Sequence, residues 1–437
     1  MGKLEFDMNG QSLVVSPDSR RVAYAVQRGD KPLVVVDGVE GKEYDGIGEG
    51  TLVFSPDSRR VAYAATRGDM WLVVLDGVEG KEYGGIGEGP IFSPDSRRVA
   101  YDAQRGDKRL VVVDGVDGKE RDGTGRGTLV FSPDSKHVAH AARRGEKWLV
   151  VVDGVDGKEY DGTGKGTPIF SPDSRRVAYA ARRGEKWFVV GDSLDGKEFD
   201  GIGEGPVFSP DSRRVAYAAK RGSKWLVVVD GVEGKEYEGI GKGGVLFSPD
   251  SKRVAYAARR GENWFVVGDG LDGKEFNGIG EGAIFSPDSR RVAYAAKRGS
   301  KWLVVVDGVE GKEYDGIGAG TLVFSPDSRR VAYAPQRGDK RLVVVDGVEG
   351  KEYDGIGRGS PVFGPDGRRV AYEAGRGRKR LVVVDGVEGR EYEGFLKGSR
   401  LVFDSPTQLH SLAIRGGEFL RVEIEIVTPA AGAATPH

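Results

Sequence analysis

The chain has 437 residues, of which 70 are glycine and none is cysteine. The absence of cysteine excludes disulfides, thiolate nucleophiles and thiolate metal ligands. Sixty-six Lys and Arg residues against 67 Asp and Glu residues leave a formal charge of −1, without the basic excess typical of nucleic-acid-binding proteins. We therefore expect no nucleic-acid partner, and the many glycines indicate short elements joined by tight turns.

The first residues, MGKLEFDMNG, lack the apolar run of a signal peptide, and no apolar stretch of the chain is long enough to span a membrane. We therefore expect no membrane partner. By default the protein is expected in the cytoplasm, or in the periplasm or outside the cell if a signal has been removed.

An internal repeat of 38 or 39 residues accounts for most of the chain. Each copy contains an S-P-D motif, written G-P-D in the tenth copy. A degenerate eleventh copy follows at 401–427. The aspartates of the ten clear copies are Asp18, Asp57, Asp95, Asp134, Asp173, Asp211, Asp250, Asp288, Asp327 and Asp366.

One copy, at 51–89, illustrates the predicted unit. Apolar residues alternate with a period of two, which is typical of strands and not of helices. Pro, Asp, Ser and Gly between the apolar runs favour tight turns. The predicted strands are TLVFS (51–55), RVAYAA (60–65), WLVVLDG (71–77) and one that begins with KEY (81–83), and the predicted turns are PDSR (56–59), RGD (67–69) and Glu79–Gly80.

Four short antiparallel strands per copy are typical of a β-propeller blade. The S-P-D-S motif followed by RRVAYAA resembles the WD40-like propeller repeats of the TolB type, over nearly the whole chain. This resemblance implies that the first strand of each blade is innermost, beside a central channel, and that the protein is a binding scaffold. No hydrolase domain fits in the remaining residues, so we expect no enzymatic activity and no cofactor.

The two ends of the chain resemble parts of one blade. LEFDMNG (4–10) is similar to KEYDGIG (42–48), which contains the fourth strand, whereas the eleventh copy supplies only three strands. We therefore predict an all-β fold, with a single closed propeller of about eleven four-stranded blades over residues 1–427. In it, residues 1–10 complete the blade of 399–427, and 428–437 form a disordered tail. Ten blades, or two smaller rings, are the alternatives.

One charged position varies from copy to copy in the loop that enters the inner strand. By propeller geometry this loop lies on the face of the Arg-Gly turns, so its residues would surround the channel mouth. We predict that they bind a protein or peptide, and the alternative is a solvated rim. The residues of this predicted ring are Glu49, Glu88, Arg126, Lys165, Glu204, Lys242, Glu281, Arg358 and Lys397, with Ala319 at the same position.

A second variable position begins the third strand, where tryptophan alternates with other residues. Such a position is expected to be half-exposed, and tryptophan is enriched at interaction hot spots. We predict an aromatic contact surface, with packing across the blade edge as the alternative. The predicted arc is Trp148, Trp187, Trp225, Trp264 and Trp302; Trp71 belongs to an earlier copy, and Pro32, Arg109, Arg341 and Arg380 are the equivalents elsewhere.

Other motifs are interpreted as turns. They are RGD in four copies, GDSL at 191–194, the glycine-rich 162–167 and 355–359, and the acidic 153–162. The glycine loops lack a following helix that would hold an anion. His137 and His140 point to opposite faces of one strand, so we predict no metal site.

These patterns favour a monomeric, non-enzymatic scaffold for an unidentified protein or peptide. One alternative is a recently amplified or engineered repeat without an evolved ligand. Another is a hydrolase or lyase with its site in the channel, which would require His, Asp or metal ligands that break the symmetry there. The predicted inner strands, LVF, PIF and PVF, are apolar instead.

Overall fold

The computed structural model describes residues 13–164, 166, 168–191 and 194–426. Every regular element in these residues is a β-strand, so the all-β prediction is confirmed. No helix that could cross a membrane occurs in this part of the chain. The strands form antiparallel groups in chain order, which we call sheets 1 to 11, and in sheet 9 the group is divided in two.

Within a sheet, the second strand pairs with the first and the third, and the fourth strand pairs with the third. The second strands are Val22–Arg28, Val61–Arg67, Val99–Arg105, Val138–Arg144, Val177–Arg183, Val215–Arg221, Val254–Arg260, Val292–Arg298, Val331–Tyr333 with Pro335–Arg337, Val370–Arg376 and Gln408–Arg415. The third strands are Lys31–Val36, Met70–Leu75, Lys108–Val113, Lys147–Val152, Lys186–Gly191, Lys224–Val229, Asn263–Gly268, Lys301–Val306, Lys340–Arg341 with Val344–Val345, Lys379–Val384 and Glu418–Glu425.

The fourth strands are Val39–Glu43, Val78–Tyr83, Val116–Asp117, Val155–Asp156, Leu194–Asp195, Val232–Tyr237, Leu271–Asp272, Val309–Glu310, Val348–Glu349 and Val387–Tyr392. The described residues of sheet 11 contribute three strands to it. Residues 1–10, the predicted fourth strand of that sheet, and the predicted tail 428–437 lie outside the described residues.

The first strand begins earlier than predicted and is interrupted in most sheets. A Gly-Ile pair and a later apolar pair both bond to the same second strand, as Gly46–Ile47 and Val53–Phe54 do in sheet 2. The first strands are Val14–Val15, Gly46–Ile47 with Val53–Phe54, Gly85–Ile86 with Ile91–Phe92, Gly123–Thr124 with Val130–Phe131, Gly162–Thr163 with Ile169–Phe170, Gly201–Ile202 with Val207–Phe208, Gly239–Phe247, Gly278–Phe285, Gly316–Ile317 with Val323–Phe324, Gly355–Ile356 with Val362–Phe363, and Gly394–Phe395 with Val402–Ser405.

The turn between the third and fourth strands is also displaced from its predicted position. In sheet 2 it is formed by Asp76 and Gly77, with φ angles of 50° and 81°, as a tight primed hairpin turn requires. The Asp76 carboxylate accepts hydrogen bonds from the Val61 amide at 2.8 Å and from Arg60 Nε at 2.8 Å. Glu79 and Gly80 lie inside the fourth strand instead, where the ladder shifts register.

Sheet 9 is divided because of a single residue. Pro335 stands where the other second strands carry an alanine or another residue with an amide N–H. Proline cannot donate a hydrogen bond to a ladder, and the second strand is interrupted between Tyr333 and Pro335.

The S-P-D motif connects neighbouring copies, as sheets 2 and 3 illustrate. Ser55 Oγ donates to Asp57 Oδ1 at 2.6 Å, which fixes the turn. The Asp57 amide then donates to Ser96 Oγ of the next sheet at 2.9 Å. Arg60 extends to the same neighbour, where it donates to the Arg97 carbonyl at 3.0 Å and covers the ring of Phe92. A substitution in one motif therefore affects two sheets.

Tyrosines form a second repeated contact between neighbouring sheets. The rings of Tyr44 and Tyr63 meet edge to face with centroids 6.2 Å apart, and the Tyr44 hydroxyl donates to Glu79 at 3.1 Å. Such aromatic pairs contribute about 0.5–1.5 kcal/mol beyond the area they bury.

The chain divides into two compact units. Among the described residues, one unit holds sheets 1–8, at 13–313, and the other holds sheets 9–11, at 314–426. Both are built from the same repeated contacts.

Candidate functional site

The predicted ring residues lie in the turn that interrupts the first strand, not in a loop before it. The Gly-Ile pair had no apolar alternation to identify it as strand, although its backbone completes the ladder. In sheets 7 and 8 the position falls inside a continuous strand with a shift in register. Lys165 lies outside the described residues, and the other eight are exposed: Glu49, Glu88, Arg126, Glu204, Lys242, Glu281, Arg358 and Lys397.

A buried hydroxyl fixes the shape of this turn in several sheets. Thr51 Oγ1 donates to the Gly48 carbonyl at 2.7 Å and accepts from the Ala64 amide at 3.0 Å. The hydroxyl thus replaces the ladder bond that the interrupted strand cannot make. The charged residue two positions before it is left on the outside of the turn.

Neighbouring turns also contact each other. Glu88 of sheet 3 pairs with Arg126 of sheet 4 at 3.6 Å, and its carboxylate accepts a hydrogen bond from the Gly127 amide. The Arg126 side chain is 91% exposed, so this pair adds little to stability. Both groups can exchange this contact for one with a partner at small cost.

The tryptophans of the predicted arc, and Trp71, are all half-buried. The indoles of Trp71, Trp225, Trp264 and Trp302 lie close to glycines in or next to the first strand of their own sheet. A Cβ at Gly48 would come within 3.2 Å of the Trp71 ring, and one at Gly241 within 3.4 Å of Trp264. Packing inside the sheet therefore explains part of the preference for tryptophan, and contact with a partner stays a prediction.

The RGD turns hold their arginine in ion pairs. Arg67 pairs with Glu79 at 2.7 Å and with Glu82 at 3.3 Å, both in the fourth strand of its own sheet. The arginine of this tripeptide is thus held by the fourth strand of its sheet. In the GDSL segment, Asp192 and Ser193 lie outside the described residues.

The interface between sheets 3 and 4 departs from the repeat in a way that the sequence analysis missed. Asp102 replaces an alanine, Arg109 replaces a tryptophan, and Arg121 and His140 each replace a tyrosine. Asp102 and Arg109 form an ion pair at 3.0 Å. These changes are 38 residues apart at most, and a copy-by-copy comparison combined with strand parity could have found them.

Burial shifts the pKa of two groups at this interface. It raises the pKa of Asp102, against the opposing effects of the Thr124 hydroxyl and of Arg109. It lowers the pKa of His140 to about 4, and the positive charge of Arg121 acts in the same direction. His140 is therefore neutral at pH 7. Within the described residues, no cluster of three or more His, Asp and Glu side chains could hold a metal ion.

No family model matches the chain, and no curated protein matches its sequence. A crystal structure of a eukaryotic initiation factor is similar over 76% of this chain and 96% of its own, with 14% identity and a TM-score of 0.43. TolB from Acinetobacter baumannii is similar over 50% of this chain and 64% of its own, with 17% identity and a TM-score of 0.26. The Cps50 (Swd1) β-propeller domain of Myceliophteria thermophila is similar over 57% and 94%, with 14% identity and a TM-score of 0.27. At these values the similarities do not establish a common activity or a common overall fold.

Proposed function

We propose that this chain is a non-enzymatic β-propeller scaffold that binds a protein or peptide through the charged turn residues. What supports the proposal is the contrast between two sets of charges. The charges of the S-P-D motifs and of the fourth strands are engaged between or within sheets. The described turn residues are exposed, and some are acidic while others are basic.

A surface of this kind suits recognition by charge pattern. Exposed charges at the rim of an interface set partner choice and association rate more than raw affinity. The order of negative and positive charges along the chain is irregular, as Glu49, Glu88 and Arg126 show. Such a charge pattern would distinguish one partner from another.

The proposal includes closure of the sheets as about eleven blades of one ring, with residues 1–10 as the missing fourth strand of sheet 11. It rests on the similarity of 4–10 to 42–48 and on the three described strands of sheet 11. Deletion of residues 1–10 is expected to lower the melting temperature and to promote aggregation, because it would expose a strand edge. An unchanged melting temperature would argue for another form of closure.

The binding test is a pull-down from source-cell lysate with three versions of the full chain. The first is unchanged, and the second carries Ser at the eight described turn positions. The third is a control with Ser at Arg59, Arg97 and Arg213, which are exposed next to the turns between the first and second strands. A protein retained by the first and third versions and lost by the second is then purified for titration.

The expected result is an affinity that falls with salt for the unchanged chain and is lost in the turn variant. Equal binding of all three versions, or no retained protein, would contradict the proposal. The second outcome would favour an amplified or engineered repeat without a ligand.

A further inference from the structure

The interface between sheets 3 and 4 lacks the aromatic pair that fills the neighbouring interfaces. Tyr83 and Tyr101 meet edge to face between sheets 2 and 3, as Tyr160 and Tyr179 do between sheets 4 and 5. Between sheets 3 and 4 the corresponding residues are Arg121 and His140. The Arg121 guanidinium keeps the contact with the next fourth strand, at Asp156, that a tyrosine hydroxyl makes elsewhere. It does not replace the lost ring.

The apolar core of this interface is correspondingly small. Its buried cluster consists of Ala142, Leu149 and Val151. The clusters on either side contain seven and six buried residues. The interface between sheets 3 and 4 therefore has fewer apolar contacts than its neighbours, and polar side chains stand in their place.

A cavity of about 680 Å³ lies between these two sheets. Ile86, Ile91, Val111 and Leu129 supply apolar walls, and Asp102, Arg109 and His140 supply polar groups. This volume lies in the range of sites for small organic ligands. A second groove of about 420 Å³ also borders His140, but a similar one of about 510 Å³ borders Tyr372, so that groove belongs to the repeat.

Two residues that line the cavity each carry a buried polar atom without a hydrogen-bond partner among the described residues. These atoms are Asp102 Oδ1 and His140 Nδ1. Most buried polar atoms in proteins are paired, and each exception calls for an explanation such as a bound molecule. Arg109 bonds to the other carboxylate oxygen, Oδ2, and so leaves Oδ1 available.

The chemistry of both atoms favours a donor. A carboxylate oxygen only accepts hydrogen bonds, and Nδ1 of a neutral imidazole accepts one in the tautomer that carries its proton on Nε2. The titratable groups around the cavity are four carboxylates, of Glu88, Asp102, Asp107 and Asp122, against the guanidinium groups of Arg109 and Arg126. A cationic donor is thus favoured over an anion.

We propose that this cavity binds a small organic amine, whose ammonium group donates to Asp102 Oδ1 and His140 Nδ1 while its apolar body lies against Ile86, Ile91, Val111 and Leu129. Gly87 admits the carboxylate that receives the ammonium, because a Cβ there would meet Asp102 Oδ2 at 2.4 Å. This cavity borders the partner surface proposed above, because Glu88 and Arg126 line it, but the two atoms that would hold the ammonium belong to Asp102 and His140, which are not part of the charged turns.

Calorimetric titration of the full chain with phenethylamine tests the proposal, with 2-phenylethanol as the neutral counterpart. We expect a Kd below about 1 mM for the amine and binding of the alcohol weaker by about tenfold or more. Asp102→Ala with Arg109→Trp restores the residues of the other copies, so it is expected to fold and to lose at least about tenfold in affinity. His140→Tyr fills the cavity and is expected to abolish binding.

Glu373→Gln, a change of a buried acid in sheet 10, is the matched control and should leave the amine affinity unchanged. The proposal would be overturned if the variant with Asp102→Ala and Arg109→Trp bound phenethylamine as tightly as the unchanged chain. It would also be overturned if the unchanged chain bound 2-phenylethanol as tightly as phenethylamine. A crystal soaked in phenethylamine that shows only ordered water at Asp102 Oδ1 and His140 Nδ1 would overturn it as well.

Discussion

Two interfaces, between sheets 3 and 4 and between sheets 10 and 11, carry the same pair of substitutions. In each, an acid replaces alanine in the second strand and an arginine stands at the tryptophan position of the third strand. The pairs are Asp102 with Arg109 and Glu373 with Arg380. Each interface lies within its own compact unit.

The two acids nevertheless have different surroundings. The Ser411 hydroxyl, at the tyrosine position of sheet 11, lies near Glu373 and opposes the rise in the pKa of that acid. Asp102 is one methylene shorter and faces His140, and its Oδ1 has no partner among the described residues. The two acids therefore differ in the residue at the tyrosine position of the next sheet, which is a serine for Glu373 and a histidine for Asp102.

The largest effect is expected from Glu373→Gln. Burial raises the pKa of Glu373 to about 7, against Ser411 and Arg380, so the folded state favours the protonated acid. The stability that the protonated acid provides is fully present below the pKa of glutamate in the unfolded chain. It is lost as the pH rises through about 7, which lowers the free energy of unfolding by up to about 3 kcal/mol. Glutamine cannot ionise, so the variant should gain about this much over the parent at pH 8 and nothing near pH 4.

Urea unfolding at both pH values measures this difference. Glu391→Gln, which changes an exposed carboxylate of the same sheet, is the control and should show no such dependence. An equal difference between parent and variant at both pH values would mean that Glu373 ionises normally.

The repeated contacts explain how much of this fold could be predicted. Predicted strands at 60–65 and 71–77 correspond to Val61–Arg67 and Met70–Leu75, because alternating apolar residues and the S-P-D turn are local signals. The Gly-Ile half of the first strand has no such signal. Its position depends on bonds to residues about 20 positions later, such as Gly46 to Thr66.

The candidate sites divide in the same way. Exposed, variable turn residues such as Glu49 could be found by comparing copies. The same comparison finds Asp102 and His140 as separate changes, but it does not show that they line one cavity, because they belong to different copies. Only the packing of one sheet on the next brings them to one cavity.

The next largest effect is a loss of stability at low pH. Burial lowers the pKa of His140 to about 4, so the folded state favours the neutral ring. The resulting stability is present above about pH 6.5 and is lost as the pH falls toward 4, by about 2 kcal/mol once the partial exposure of the ring is considered. Burial raises the pKa of Asp102, so protonation of this acid at low pH favours the folded state and opposes the effect of His140.

His140→Phe isolates the histidine, because Asp102 is common to both proteins. We expect the parent to lose stability relative to this variant between pH 6.5 and 4. An NMR titration of the His140 ring with an apparent pKa near 6.5 would contradict the expected shift.

A gain of similar size is expected from restoring the aromatic pair of sheets 3 and 4. Arg121→Tyr with His140→Tyr should stabilise the protein by about 2 kcal/mol through apolar burial and an edge-to-face contact. Ser411→Tyr is the contrasting change, and should destabilise because Glu373 already lies against Ser411. Thermal unfolding measures the melting temperature of both variants relative to the parent. Changes of the same sign would show that the two interfaces are packed equally well.

The smallest effect tests the contact between motifs. His137 of sheet 4 replaces the arginine that in sheet 3, as Arg98, donates to the Lys136 carbonyl at 2.7 Å and covers the Phe131 ring. The imidazole keeps the contact with the aspartate, to Asp153 at 2.6 Å, and stacks on Phe170. Unlike arginine, it has no additional N–H group that could donate to the backbone carbonyls of sheet 5. His137→Arg should therefore gain about 1 kcal/mol. His137→Lys supplies the charge without the planar fork, so a lysine variant as stable as the arginine variant would show that charge alone accounts for the recurrence of arginine in this motif.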